Sequence, residues 1–155
     1  MDATLRLTAV LTLVVVSAAG CGASDAWYLG TYKIVRADRA PWNDAAFQPD
    51  AAEVATYLGG SVTIGKRIEG PGLLACPAPV YVLKKVKPGY LFQGGLAVGS
   101  NPEASADADA TKLGFKRGQI EALETGCEAE IDYVFRDHDH AAFALDNMIY
   151  WLERQ

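Results

Sequence analysis

The chain is poor in the residues from which most catalytic and metal centres are built: its 155 residues include three cysteines, two histidines and two methionines. Cys21, Cys76 and Cys127 form no Cys-x-x-Cys pair, and their spacing fits neither a redox motif nor a zinc framework. There is no Gly-x-Ser-x-Gly elbow. Gly70-Pro71-Gly72 is not followed by Gly-Lys-Ser or Gly-Lys-Thr, so it reads as a Pro-Gly turn and not as a phosphate loop. No segment repeats with a period of about 20 to 50 residues, which excludes solenoids and propellers. Enzymatic activity and bound cofactors are therefore not expected.

The chain also lacks an apolar run long enough to stay in a membrane. The one run present, Leu7 to Val16, is broken only by Thr8 and Thr12 and follows Arg6. At 1.5 Å per residue it covers roughly 15 Å, about half of a hydrocarbon core. With the small residues Ser17, Ala18, Ala19 and Gly20 behind it, it reads as an export signal occupying residues 1–20. Ala18-Ala19-Gly20-Cys21 resembles the lipobox of bacterial lipoproteins. That resemblance implies lipidation of Cys21, a short tether over 21–26, a domain over 27–155, and attachment to the membrane of the cell envelope. Gly22, where some lipoproteins carry Asp, is similar to lipoproteins sorted to the outer membrane, facing the periplasm. A lipid on Cys21 leaves Cys76 and Cys127, which an oxidising compartment would pair as a structural disulfide.

Residues 27–155 suffice for one domain and are too few for two. Alternating runs rich in β-branched and aromatic residues predict strands at Trp27–Arg36, Ser61–Glu69, Val80–Lys87, Tyr90–Gln93, Gly118–Glu124, Ile131–Arg136, Ala141–Leu145 and Met148–Glu153. Hairpin-length links between them predict a mainly β domain, a single antiparallel barrel of about eight strands that closes on itself. Two short helices are expected as insertions. Asp50 caps Ala51–Leu58, with Glu53 completing a capping box, Val54, Tyr57 and Leu58 forming the apolar stripe, and Gly59 as the stop. The second, about Ser105–Leu113, is Ala- and Asp-rich and ends at Gly114.

Gly30-Thr31-Tyr32 in the first strand is similar to the Gly-x-Trp opening of lipocalins and their relatives, with Tyr in place of Trp. Arg154, after the last strand, resembles the basic residue that packs over that ring. The resemblance implies a lipocalin-like barrel that takes an apolar small molecule, and Tyr32, Trp42, Phe92 and Trp151 are the candidate pocket residues. Trp42, after Pro41, reads first as a core plug at the barrel end and second as a ligand- or partner-contacting aromatic.

His138 and His140 alternate with Asp137 and Asp139, the nearest approach to a metal-ligand set. A solvated hairpin turn accounts for them as well, and no metal is expected there. Charge is uneven: 22–120 hold 11 basic and 9 acidic residues, whereas 121–155 hold 2 basic and 9 acidic. Such an imbalance disfavours nucleic acid and suits either a basic partner or solubility. Three roles remain open: a binding module for an apolar small molecule, an interaction protein such as an inhibitor or immunity factor that meets a basic envelope protein, and a structural envelope lipoprotein. The second resembles exported lysozyme inhibitors in size, anchor, acidity, disulfide and barrel, without their recognition motif.

Overall fold

A computed structural model describes residues 26–41, 43, 46–87, 108, 110–115 and 119–155. The predicted signal, the tether up to residue 25, Cys21, Trp42, Phe92 and the expected strand Tyr90–Gln93 lie outside the described residues. The described residues fold into one eight-stranded antiparallel sheet, curled into a half-barrel of lipocalin-like form, with short helical insertions. In chain order the elements are β1 (Gly30–Arg39), α1 (Ala51–Tyr57), β2 (Ser61–Ile64), β3 (Ile68–Glu69), a 3-10 turn (Gly72–Leu74), β4 (Val82–Val86), β5 (Ile120–Glu124), β6 (Tyr133–Phe135), β7 (His140–Leu145) and β8 (Met148–Arg154).

The spatial order β3-β2-β1-β8-β7-β6-β5-β4 places the first and last strands side by side. The run expected as one strand, Ser61–Glu69, is two: Gly65 and its polar neighbours turn the chain, with Gly65 N–H donating to the Arg67 carbonyl at 3.1 Å. β1 starts later and ends later than expected, because Trp27 and Tyr28 form a turn closed by Leu29 N–H on the Ala26 carbonyl. A bulge between Ile34 and Arg36 then shifts the register against β8. Tyr32 and Ile34 face inward before it, while Arg36 and Asp38 turn outward after it.

Cys76–Tyr81 draws the two ends of the sheet together. Cys76 exchanges both backbone hydrogen bonds with Ile68 on β3, and Val80 N–H donates to the Thr125 carbonyl beyond β5 at 2.7 Å. Across the same seam run the Cys76–Cys127 disulfide and a hydrogen bond from the Tyr81 hydroxyl to the Gly65 carbonyl.

Inside the curl, Tyr32, Ile34, Val62, Ile64, Leu123, Tyr133, Phe143, Tyr150 and Leu152 are almost wholly buried. Aromatic rings fill its middle. Phe143 stacks on Tyr150 at 4.9 Å, while Tyr57 meets Tyr150 edge-on at 5.3 Å and Tyr133 meets Phe143 at 6.1 Å. Each such pair adds about 0.5–1.5 kcal/mol beyond the area it buries. Tyr57 comes from α1, which is how that helix attaches to the barrel; Leu58, expected on the apolar stripe, is exposed. Asp50 caps α1 through Ala52 and Glu53 N–H, but Glu53 does not complete the box, because its side chain turns toward Asp146.

A second apolar cluster lies on the outer face: Ala40, Ala110, Phe115, Ile120, Val134, Ala142, Ile149 and Trp151. Residues 108 and 110–112, within the expected second helix, are helical. Ala110 is buried in this outer cluster, and Leu113 packs against it, as does Phe115, which lies 5.8 Å from Trp151. β8 is thereby buried on both faces from Met148 to Leu152, matching its continuous apolar run.

Candidate functional site

The end of the barrel next to Ala26 is closed by Arg154, the penultimate residue of the chain. Its guanidinium carbon sits 4.7 Å from the centre of the Tyr32 ring. Its nitrogens donate to the carbonyls of Leu29 (2.9 Å), Trp27 (2.6 Å) and His138 (3.0 Å) and to the Tyr32 hydroxyl. Tyr32 in turn donates to the Tyr28 carbonyl. Burial pushes the Tyr32 phenol up, opposed by the adjacent Arg154 charge. Gly30 has φ +150°, and a Cβ there would stand 2.5 Å from an Arg154 nitrogen, so this position needs glycine for both conformation and space. Gly30, Tyr32 and Arg154, which the lipocalin resemblance placed together, meet in one arrangement. Tyr32 belongs to this closure.

Trp151, the second described pocket candidate, lies on the opposite face of the sheet. Its indole N–H donates to Asp38 at 2.7 Å, and the guanidiniums of Arg36 and Arg136 lie 4.8 and 5.8 Å from its ring. Trp151, Arg36 and Arg136, together with His140, line a shallow pocket of about 310 Å³. Tyr32 and Trp151 are therefore not brought together. The two histidines also part: the His138 ring stacks on Trp27 at 4.5 Å, while His140 Nδ1 pairs with Asp137 at 2.6 Å. Residues 136–139 form a bend between β6 and β7 stabilised by Asp137, which accepts from Asp139 and His140 N–H. Among the described residues, no three or more of His, Cys, Asp and Glu gather as a metal site.

One concavity joins carboxylates to an apolar floor. Glu124, Glu130 and Asp132 rim a pocket of about 160 Å³ whose other walls are Phe115, Ala122, Val134, Ala142, Phe143, Ala144 and Ile149. The floor is low because alternation brings small residues, Ala122 and Ala142, to the outer face of β5 and β7, and the rim is positioned by the loop between β5 and β6. There buried Thr125 donates its hydroxyl to the Ile131 carbonyl at 3.0 Å, Glu130 N–H donates to the Cys127 carbonyl at 2.9 Å, and the disulfide fixes Cys127. Burial raises the Asp132 carboxyl above its ordinary range, against a hydrogen bond from Thr125 N–H. Glu124 carries an ion pair with Lys84 from the neighbouring strand. The acidic bias of residues 121–155 points to this region, and the alanines of Glu121-Ala122-Leu123-Glu124 and Ala141-Ala142-Phe143-Ala144 are the signal that would have located the groove.

No protein family, characterised protein or solved structure matches the chain.

Proposed function

We propose that the protein is a lipoprotein tethered to the envelope through Cys21, and that its domain is an interaction module for a basic protein such as a cationic envelope hydrolase. The observation that carries this reading is the groove rimmed by Glu124, Glu130 and Asp132 over an alanine floor. Its size suits a single Lys or Arg side chain, and the acidic stretch 121–155 supplies the long-range attraction that speeds encounter. The apolar-ligand reading keeps the support of the Gly30–Tyr32–Arg154 closure. Against it, the aromatic rings of the described interior occupy the space a ligand would need. Fluorescence titration with fatty acids or haem tests that reading directly, and saturable quenching would favour it.

The interaction reading is tested with the mature protein immobilised, lysozyme as the basic probe, and a pull-down from envelope extract. Binding is expected to weaken with salt and to fall about 10- to 100-fold in the combined variant Glu124→Gln, Glu130→Gln, Asp132→Asn, equivalent to about 1.4 to 2.7 kcal/mol. Because the ionised form of Asp132 is the one that attracts a cation and burial raises its pKa, affinity should begin to drop at a higher pH than ordinary carboxylates would impose. Failure to capture any basic protein, with native and substituted groove alike, would count decisively against it. The tether is checked by mass spectrometry of the mature N-terminus, where an unmodified Cys21 would overturn the lipid assignment.

A further inference from the structure

Beside α1, two buried side-chain oxygens among the described residues have no hydrogen-bond partner. One is Glu53 Oε1 and the other is the hydroxyl of Tyr150. Tyr150 itself is wholly buried. Buried polar atoms are almost always satisfied, and an unsatisfied pair in one place calls for an unseen proton, water or ion. The two belong to one place for a geometric reason. Tyr57 packs edge-on against Tyr150, and Glu53, one helical turn before it, lies on the same face of α1. The Glu53 carboxylate reaches the Asp146 side chain, which the β7–β8 turn presents at positive φ (45°). Asp50 lies close enough to act on the same group, so the charges felt by Glu53 are both acidic. Both Glu53 and Asp146 act on the Tyr150 phenol.

Two carboxylates from separate elements, converging beside an orphaned phenolic oxygen, are hard oxygen donors, and the charges that act on Glu53 are acidic. We propose that Glu53, Asp146 and Tyr150 form a binding site for a hard divalent cation of the calcium class, which ties helix α1 to the β7–β8 turn. The carboxylates supply the charge, the phenol remains protonated and offers a weak oxygen, and water completes the shell of an ion that takes six to eight oxygens. With so few protein ligands the affinity belongs to the extracellular range, on the order of 10⁻⁴ to 10⁻³ M. Asp146 is exposed, so the ion has a route in.

The test uses the mature protein stripped with chelator and titrated with terbium, whose luminescence is sensitised by a tyrosine at the site. Saturable luminescence displaced by calcium is expected, together with a calcium-dependent rise in Tm. Asp146→Asn, a surface change that leaves the barrel intact, should weaken terbium binding at least tenfold, and Glu53→Gln should do the same. Absence of calcium-displaceable luminescence in the native protein overturns the proposal. So does unchanged binding in Asp146→Asn, or a Glu53→Gln variant that is merely more stable and indifferent to calcium, since that result assigns the pair to a shared proton.

Discussion

Reducing the Cys76–Cys127 disulfide, or replacing both cysteines by serine, is expected to lower the melting temperature by roughly 15 °C. The bridge joins positions 51 residues apart. A loop of that length restrains the unfolded chain by about 4 kcal/mol, and for a domain of this size each kcal/mol moves Tm by roughly 4 °C. The folded state adds its own reason for a large effect. β3 and β4 are the two edges of the sheet, and the backbone bonds that bring Cys76–Tyr81 across between them are few. Without the bridge, the Tyr81 hydroxyl on the Gly65 carbonyl is the main remaining side-chain tie between the β2–β3 turn and the β4 side. The loop that carries Glu130 and Asp132 is attached to the same seam through Cys127, so reduction should also weaken binding of a basic partner before the domain melts. Calorimetry with and without reductant, run alongside the binding assay, reads both effects. A Tm change below about 5 °C would show that the packed interior alone holds the edges together.

The parts of this fold that were legible in the sequence are those set by local chemistry or by strict alternation. Asp50 announces the start of α1 because a carboxylate is the best partner for the free N–H groups of a first turn. Met148–Arg154 and His140–Leu145 show their pairing through the tight Asp146-Asn147 turn, whose residues tolerate the positive φ such hairpins demand. The pairing of Cys76 with Cys127 was legible only through the expectation that Cys21 carries a lipid in an oxidising compartment. What escaped was decided by contacts distant in sequence. Ser61–Glu69 alternates well enough to pass for one strand, yet Gly65 lets it fold back once β1 offers only β2 a partner. Trp151 reads as a pocket residue in a barrel, but the buried run of β8 needs a cover on its outer face, and Phe115 and Ala110 provide it. The acidic groove combines β5, β6, β7 and a loop shaped by a disulfide, so its charges were visible as a bias while their convergence was not.

Substitution of Arg154 by alanine is expected to cost about 3 kcal/mol of stability, measured by urea denaturation. One guanidinium serves three backbone carbonyls and a phenol at the closed end, and charge-assisted bonds of this kind contribute about 1.5–3 kcal/mol each when taken singly. They are not additive, because a single side chain is ordered once and water reaches part of the end once the arginine is gone. The contact with Asp139 at 3.7 Å adds little, since that carboxylate is mostly exposed. Arg154→Lys separates the two contributions. An ammonium keeps the charge near the Tyr32 ring but cannot span Trp27, Leu29 and His138, so it should recover less than half of the loss. The near-ultraviolet circular dichroism of Trp27, whose ring is held between Phe135 and His138, should change in Arg154→Ala while the β content stays constant. If Arg154→Ala unfolds within about 1 kcal/mol of the native protein, the closure is ornamental and the barrel is held by its aromatic interior. If Lys restores full stability, the guanidinium geometry is irrelevant and only its charge over the ring matters.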